Sequence, residues 1–269
     1  MRETKSNRTW LRRSILLSAP AVAFIATLIH PRFNQSTDIY SVLAPQVDLW
    51  ITLHIVQLLI FGLLGLTIYW LIDVAYGLAP TISRIAIAVF IVFYLPFDAL
   101  AGIATGLLVQ YAKTVPPDQL PIVSKAIDAF WQSDVVNNMA AVGAVGWGVA
   151  VLAAAVALAR PAIHRLPVGI VALGIFVLVG ISFALQLDTN AIWWWVGAFI
   201  LAIIFGFVAA PRLPSALLVL AAIFFSVSHV FPSGTVGMAA LFFAIAHLEF
   251  ITPSAPLTES SVPVATPAS

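Results

Sequence analysis

Four residues in otherwise apolar stretches carry groups that can bind a metal or move a proton: His30, His54, Asp98 and His229. Ionisable side chains are costly in hydrocarbon, so each is a candidate for function. His30 closes the first apolar stretch just before Pro31, and His54 lies about six residues, or roughly 9 Å, into the second. Asp98 lies about 16 residues, roughly 24 Å, up the third, and His229 stands near the outer end of the seventh. For a chain that enters the bilayer from an inner amino terminus, all four share the depth of the outer leaflet. Neutral imidazole is the commonest metal ligand. Three protein ligands plus water make a catalytic zinc site, and a carboxylate often orients a ligating histidine. His30, His54 and His229 are therefore candidate metal ligands, and Asp98 is the candidate orienter or general base. Two facing histidines can alternatively hold a haem iron axially, so haem is the second cofactor considered. The plain alternative is that His30 and His229 are solvated near the interface while His54 and Asp98 form a buried pair that fixes helix packing.

Other polar positions offer less. Gln57 follows His54 by one helical turn and shares its face, and Asn137 and Asn138 fall at similar or shallower depth. His247 and Glu249 are two positions apart and so point to different faces. His164, between Arg160 and Arg165, reads as a loop residue facing anionic headgroups. Pro96, two residues before Asp98, frees a backbone carbonyl and can kink its helix beside the acid. Trp50, Trp70 and Trp193-Trp194-Trp195 fall near span ends and read as interfacial belt residues. Gly102-xxx-Gly106 and Gly143, Gly146 and Gly148 suit close helix contact.

The elements that must position these residues are membrane spans. The chain is 62% hydrophobic and 9% charged, against about 25% charged in a soluble domain. The runs 14–29, 49–72, 135–159, 166–187, 189–211 and 213–248 contain no Asp, Glu, Lys or Arg, and about 20 apolar residues cross a bilayer. The expected fold is all-α: a polytopic helical membrane bundle of about eight transmembrane helices. Spans fall near 14–29, 48–72, 82–111, 137–159, 167–187, 191–210, 213–230 and 234–252. The last two divide a 36-residue run at Phe231-Pro232-Ser233-Gly234, where Pro stops a helix and Gly turns the chain. Were that break only a kink, the count would be seven.

The basic start followed by Ser14–Ile29 resembles a signal peptide in outline, but Ala21-Val22-Ala23 sits inside the apolar run, so an uncleaved first span is expected. Residues 1–13 form the basic cytoplasmic amino terminus, 14–252 the transmembrane domain, and 253–269, rich in Pro, Ser, Thr and Ala, a disordered cytoplasmic tail. Cytoplasmic loops retain Lys and Arg. An inner amino terminus places Arg2, Lys5, Arg8, Arg12, Arg13, Arg84, Arg160, Arg165 and Arg212 inside and only Arg32, Lys113 and Lys125 outside, in the plasma membrane. The outer loops, about 31–47 and 112–136, are the longer ones. In the second, Val123, Ala126, Ile127, Phe130 and Trp131 recur at helical spacing opposite Ser124, Lys125, Asp128 and Gln132. This is an amphipathic helix that lies in the interface or caps the bundle mouth.

Several classes are excluded or reduced. With no cysteine there is no disulfide, thiolate nucleophile or Cys-ligated metal. The short inner connections leave no nucleotide-binding domain, a net charge of +1 says nothing about nucleic acid, and neither partner is expected. A retinal Schiff base needs a lysine in the last helix, whereas the lysines here are Lys5, Lys113 and Lys125. Di-haem cytochromes b carry two histidines in each of two spans, and no span here has two. His54 in an early span followed by Asp98 in the next is similar in order to the membrane hydrolases that include alkaline ceramidases and adiponectin-type receptors. Those add an HxxxH pair in the last span, where this chain has only His247. The first functional expectation is a non-catalytic subunit or assembly protein, partnered by the lipid bilayer and another membrane protein. The alternatives are a metal- or haem-dependent enzyme or electron carrier acting on a lipid-soluble substrate, and a small permease.

Overall fold

A computed structural model describes residues 2–32, 38–159, 165–184 and 192–251 of the chain. His164, Asp188 and the expected tail beyond Thr252 lie outside these residues. The described residues are helical, without strands. Helix α1 spans Arg2–Ile29, and the short α2 (Ile39–Leu43) leads through a 3-10 turn into α3 (Val47–Leu71). Helix α4 (Leu78–Asp98) passes into a π-helical segment, Ala99–Ala104, and then α5 (Thr105–Ala112). The amphipathic α6 covers Leu120–Trp131. Then follow α7 (Asp134–Leu158), α8 (Arg165–Ala184), α9 (Ile192–Val208), α10 (Arg212–Val227) and α11 (Ser233–Phe250).

Among the described residues, five segments are long and apolar enough to cross a membrane: Trp10–Ile29, Ile39–Leu71, Leu78–Ala112, Leu120–Leu158 and Ser233–Phe250. Shorter apolar helices cover Val168–Ile181, Ile192–Val208 and Arg212–Val227. The long run 213–248 is divided as its Pro-Gly break suggests, with α10 ending at Val227 and α11 starting at Ser233. A helical hydrogen-bond ladder satisfies its own backbone, the condition hydrocarbon imposes. Large apolar side chains point outward along the helices, among them Leu59, Val92, Phe207 and Phe243. Together these features make the chain a membrane-embedded helical protein.

Helices α1, α3, α4, α7, α10 and α11 pack in that order around a ring that closes where α11 returns to α1. Helices α8 and α9 flank it, touching α7 and α10 respectively. Small residues let the backbones approach. A Cβ on Gly146 would stand 2.8 Å from the Phe90 nitrogen, and one on Gly237 would stand 2.9 Å from that of Phe225. Polar side chains bridge helices where hydrocarbon offers no alternative partner. Ser83 donates to the Ala150 carbonyl (2.8 Å), Trp147 Nε1 to Ala221 (3.2 Å), and the Thr27 and Thr235 hydroxyls meet at 2.9 Å. The centre is filled by aromatics: Phe61, Phe90, Tyr94, Trp147 and Phe225 contact one another with ring centroids 4.9–6.4 Å apart.

The two ends of the ring differ. At one end Arg12 and Arg13 grip Glu249 at 2.8 and 3.3 Å, tying α1 to α11. Arg12 also reaches the Trp70 carbonyl (3.0 Å), and Arg84 covers the carbonyls of Ile72 and Ala75 where α3 ends. Cations suit a helix carboxyl end, whose last carbonyls lack partners. Gly77, at φ 111°, makes the turn into α4 in a conformation other residues resist. The opposite end holds His30, His54 and His229.

Candidate functional site

His30, the residue after α1, and His54, about two turns into α3, meet His229 from the connection between α10 and α11. One ring nitrogen of each lies within 4.8 Å of the other two. The ring centroid of His30 stands 5.1 Å from that of His54 and 5.2 Å from that of His229. Asp98, at the end of α4, is 1% exposed, and its Oδ1 lies 3.9 Å from His54 Nε2. All four sequence candidates thus come together at one end of the ring. His229 sits in the connection, two residues beyond the end of α10, instead of within a span.

The hydrogen bonds give the cluster a direction. His30 Nδ1 donates to the Pro31 carbonyl at 2.8 Å and His54 Nδ1 to the Trp50 carbonyl at 2.7 Å. A carbonyl only accepts, so each proton sits on Nδ1 and each Nε2 keeps its lone pair. His229 Nδ1 bonds the Tyr94 hydroxyl at 2.8 Å, and as donor it would likewise free its Nε2. Among the described residues, the Nε2 atoms of His30 and His229 are buried without a hydrogen-bond partner, as are both carboxylate oxygens of Asp98. Buried polar atoms are ordinarily paired, and an unpaired carboxylate is among the costliest of them. Four such atoms stand in this one cluster.

The backbone explains how these side chains reach one another. Past Pro96 the chain does not simply kink; it opens into the π-helical segment, where π-helical turns commonly serve functional sites. That segment turns the Gly102 carbonyl toward Trp50 Nε1, which donates to it at 2.7 Å. Gly102 lies directly against His54: a Cβ there would fall 2.0 Å from His54 Cδ2. Gly106 makes the same kind of approach to Ile51. The Gly102-xxx-Gly106 spacing therefore seats α3, with His54 on it, against the chain beyond Asp98. Trp50, read from sequence as a belt residue, is instead 1% exposed and forms the wall beside His30, at 5.0 Å between centroids. Of the other belt candidates, Trp193 is exposed and Trp194 is buried.

A cavity of about 420 Å³ opens beside the histidines, bounded by Trp50, Phe97, Asp98, Trp131 and Phe231. Arg32 stands at its lip, stacked 4.0 Å from the Phe231 ring. Over this end lies α6, its Ile127 buried with Leu43, Val47 and Val109. Asp128 accepts from the Ile39 backbone at 3.1 Å, and Ser124 donates to Asp38 at 2.7 Å. The Trp131 ring reaches Trp50 at 5.9 Å. The amphipathic helix thus caps the mouth of the bundle at the histidine end.

Some sequence candidates stand apart. Asn137 and Asn138 are exposed and do not line the cavity, and Glu249 belongs to the arginine cluster at the other end. Gln57 is buried beside this region with its Oε1 unpaired. Tyr94 was missed by sequence reasoning. It stands four residues before Asp98, hence on the same helix face, and that spacing was the available signal. No family model, curated protein or solved structure matches the chain, so any functional reading rests on this geometry.

Proposed function

We propose that His30, His54 and His229 bind a divalent transition metal of the zinc class, and that the protein is a metal-dependent membrane enzyme acting from the outer face of the plasma membrane. The observation that carries this reading is the set of convergent imidazoles whose Nδ1 atoms are already engaged. That arrangement is how proteins orient ligating histidines. Tetrahedral zinc with nitrogen ligands at 2.0–2.1 Å places those nitrogens about 3.3 Å apart, so binding would draw the present cluster in by about 1.5 Å at its widest separation. Three histidines leave the fourth position for water, whose pKa the metal lowers toward neutrality. Asp98 is the group that would take the proton from that water. Bound there, the metal would supply an activated water for hydrolysis of an ester or amide bond, and Asp98 would return the proton it took to the leaving oxygen or nitrogen. Haem fits less well, because its two axial imidazoles lie on opposite faces of a wide planar ring, whereas these three close on one point.

The eight-span arrangement, with both termini cytoplasmic, follows the cation bias and places the site outside. The subunit reading rests on the small size, the short inner connections and the small-residue faces, and close packing within this bundle accounts for such faces equally well. It gives no role to four buried polar atoms in one cluster that lack a hydrogen-bond partner among the described residues. The test is turnover of a total bacterial lipid extract by zinc-loaded protein in vesicles, followed by mass spectrometry. Lipid cleavage that stops with chelator and returns with zinc supports the reading. Metal-loaded protein that leaves every lipid class unchanged would overturn it.

A further inference from the structure

A second cavity, of about 440 Å³, lies against the first between α4, α7, α8 and α10. The two share Phe97, Val227, Ser228 and His229, so the His229 ring forms part of both walls. Small residues on α7, among them Ala140, Ala144 and Gly148, make the space by withholding side chains where α7 faces α10. The hydroxyls near it are already used. Ser226 bonds the carbonyls of Ala144 and Ala222, and Tyr94 bonds His229. Its interior therefore offers polar chemistry only at the His229 end. Among the described residues, the other end opens sideways between α7 and α8, where Val145 is 49% exposed and Gly180 has open space around it.

We infer that this cavity holds the hydrocarbon chain of a single-chain lipid substrate, or of one chain of a larger lipid, with the carbonyl head at the histidines. The inference rests on the metal-centre reading and names its substrate class. An apolar cavity of about 150 Å³ admits benzene, so one roughly three times larger suits a chain of about sixteen carbons. A chain of that kind is already dissolved in the bilayer and enters through the lateral opening without crossing water. The position of His229 on both walls brings its head end to the metal. Chain length is then read by the apolar cavity and bond position by the histidines.

The experiment uses a sixteen-carbon fatty acid with a diazirine at the chain end, photolysed with the purified protein in phosphatidylcholine vesicles, while zinc content is measured on the same samples. Adducts are expected in the segments 140–152, 176–180 and 222–227. Excess unlabelled palmitate is expected to displace them at least fivefold, and hexanoate is expected to fail. Val145→Trp, at the partly exposed mouth, and Gly180→Leu, which enters open space, should each lower this labelling at least fivefold while zinc stays bound. Labelling spread evenly over outward-facing segments such as those around Leu59 and Phe207, in protein that does hold zinc, would overturn the chain site and leave the metal centre standing. Competed labelling at the cavity in protein that binds no zinc would overturn the metal centre instead, and with it the assignment of the chain as part of a substrate.

Discussion

Replacing Gly102 with Ala adds one methyl group at the closest approach in the site. That carbon would stand 2.0 Å from His54 Cδ2 and 2.1 Å from its Cγ, where ordinary contact begins at 3.4 Å. The imidazole must therefore retreat by about 1.4 Å, or the π-helical segment must shift and take the carbonyl held by Trp50 with it. Either response displaces His54 in a cluster that must already close by about 1.5 Å at its widest to meet a metal, so the expected effect is loss of His54 as a ligand. Overpacking of this size costs about 1–3 kcal/mol of stability, which a folded bundle can survive. The expected loss in zinc affinity is at least about 100-fold, the upper range seen when a supporting contact to a ligand is removed. Gly62→Ala, on α3 with nothing within 4 Å of the added carbon, is the matched control and should bind zinc as the wild type does. Competition with a chromophoric chelator measures both affinities, and size-exclusion chromatography in detergent reports folding. Zinc affinity in Gly102→Ala within threefold of the wild type would refute the placement of His54 at the metal.

Tyr94→Phe removes the hydroxyl bonded to His229 Nδ1 without changing the ring's bulk, and should weaken zinc binding about 10–100-fold in the same chelator competition. Asp98→Asn should keep zinc at near-stoichiometric occupancy yet abolish chelator-sensitive lipid turnover, and loss of zinc instead would make Asp98 a ligand. At the other end, Glu249→Gln should lower stability by about 1–2 kcal/mol, because both Arg12 and Arg13 lose their carboxylate, while zinc content stays unchanged. A double-mutant cycle with Arg12→Ala checks it, and coupling below about 0.3 kcal/mol would count against the tie. Reporter fusions at Asp118 and at the carboxyl end should report opposite sides of the membrane, and a shared side would refute the eight-span arrangement.

Much of the scaffold is legible in the sequence because hydrocarbon permits few solutions. Uncharged runs mark the helices, and Pro232 with Gly234 marks the separation of α10 from α11. The spacing of Val123, Ile127 and Trp131 reveals α6. Depth is legible too, since rise per residue brings His30, His54, Asp98 and His229 to one level. Their convergence is not legible, because it depends on the rotation of each helix and on which helices are neighbours. Nothing in a single chain says that α11 returns to α1 or that α4 lies against α7. Trp50 shows the same limit. A tryptophan near a span end looks the same in sequence whether it meets headgroups or, as here, the Gly102 carbonyl. Pro96 signalled an irregular backbone but not its form, since a kink and a π-helical segment both follow from a lost amide donor.

Elemental analysis of the detergent-purified wild type after zinc exposure and removal of excess metal, beside His30→Ala, His54→Ala and His229→Ala, tests the trihistidine centre most directly. One equivalent of zinc in the wild type and less than about a tenth of an equivalent in each folded variant is the expected result, since loss of a ligand costs at least the roughly 10–100-fold lost with a supporting group. A wild type without metal, or variants that keep it, would contradict the assignment of these three histidines as a metal site.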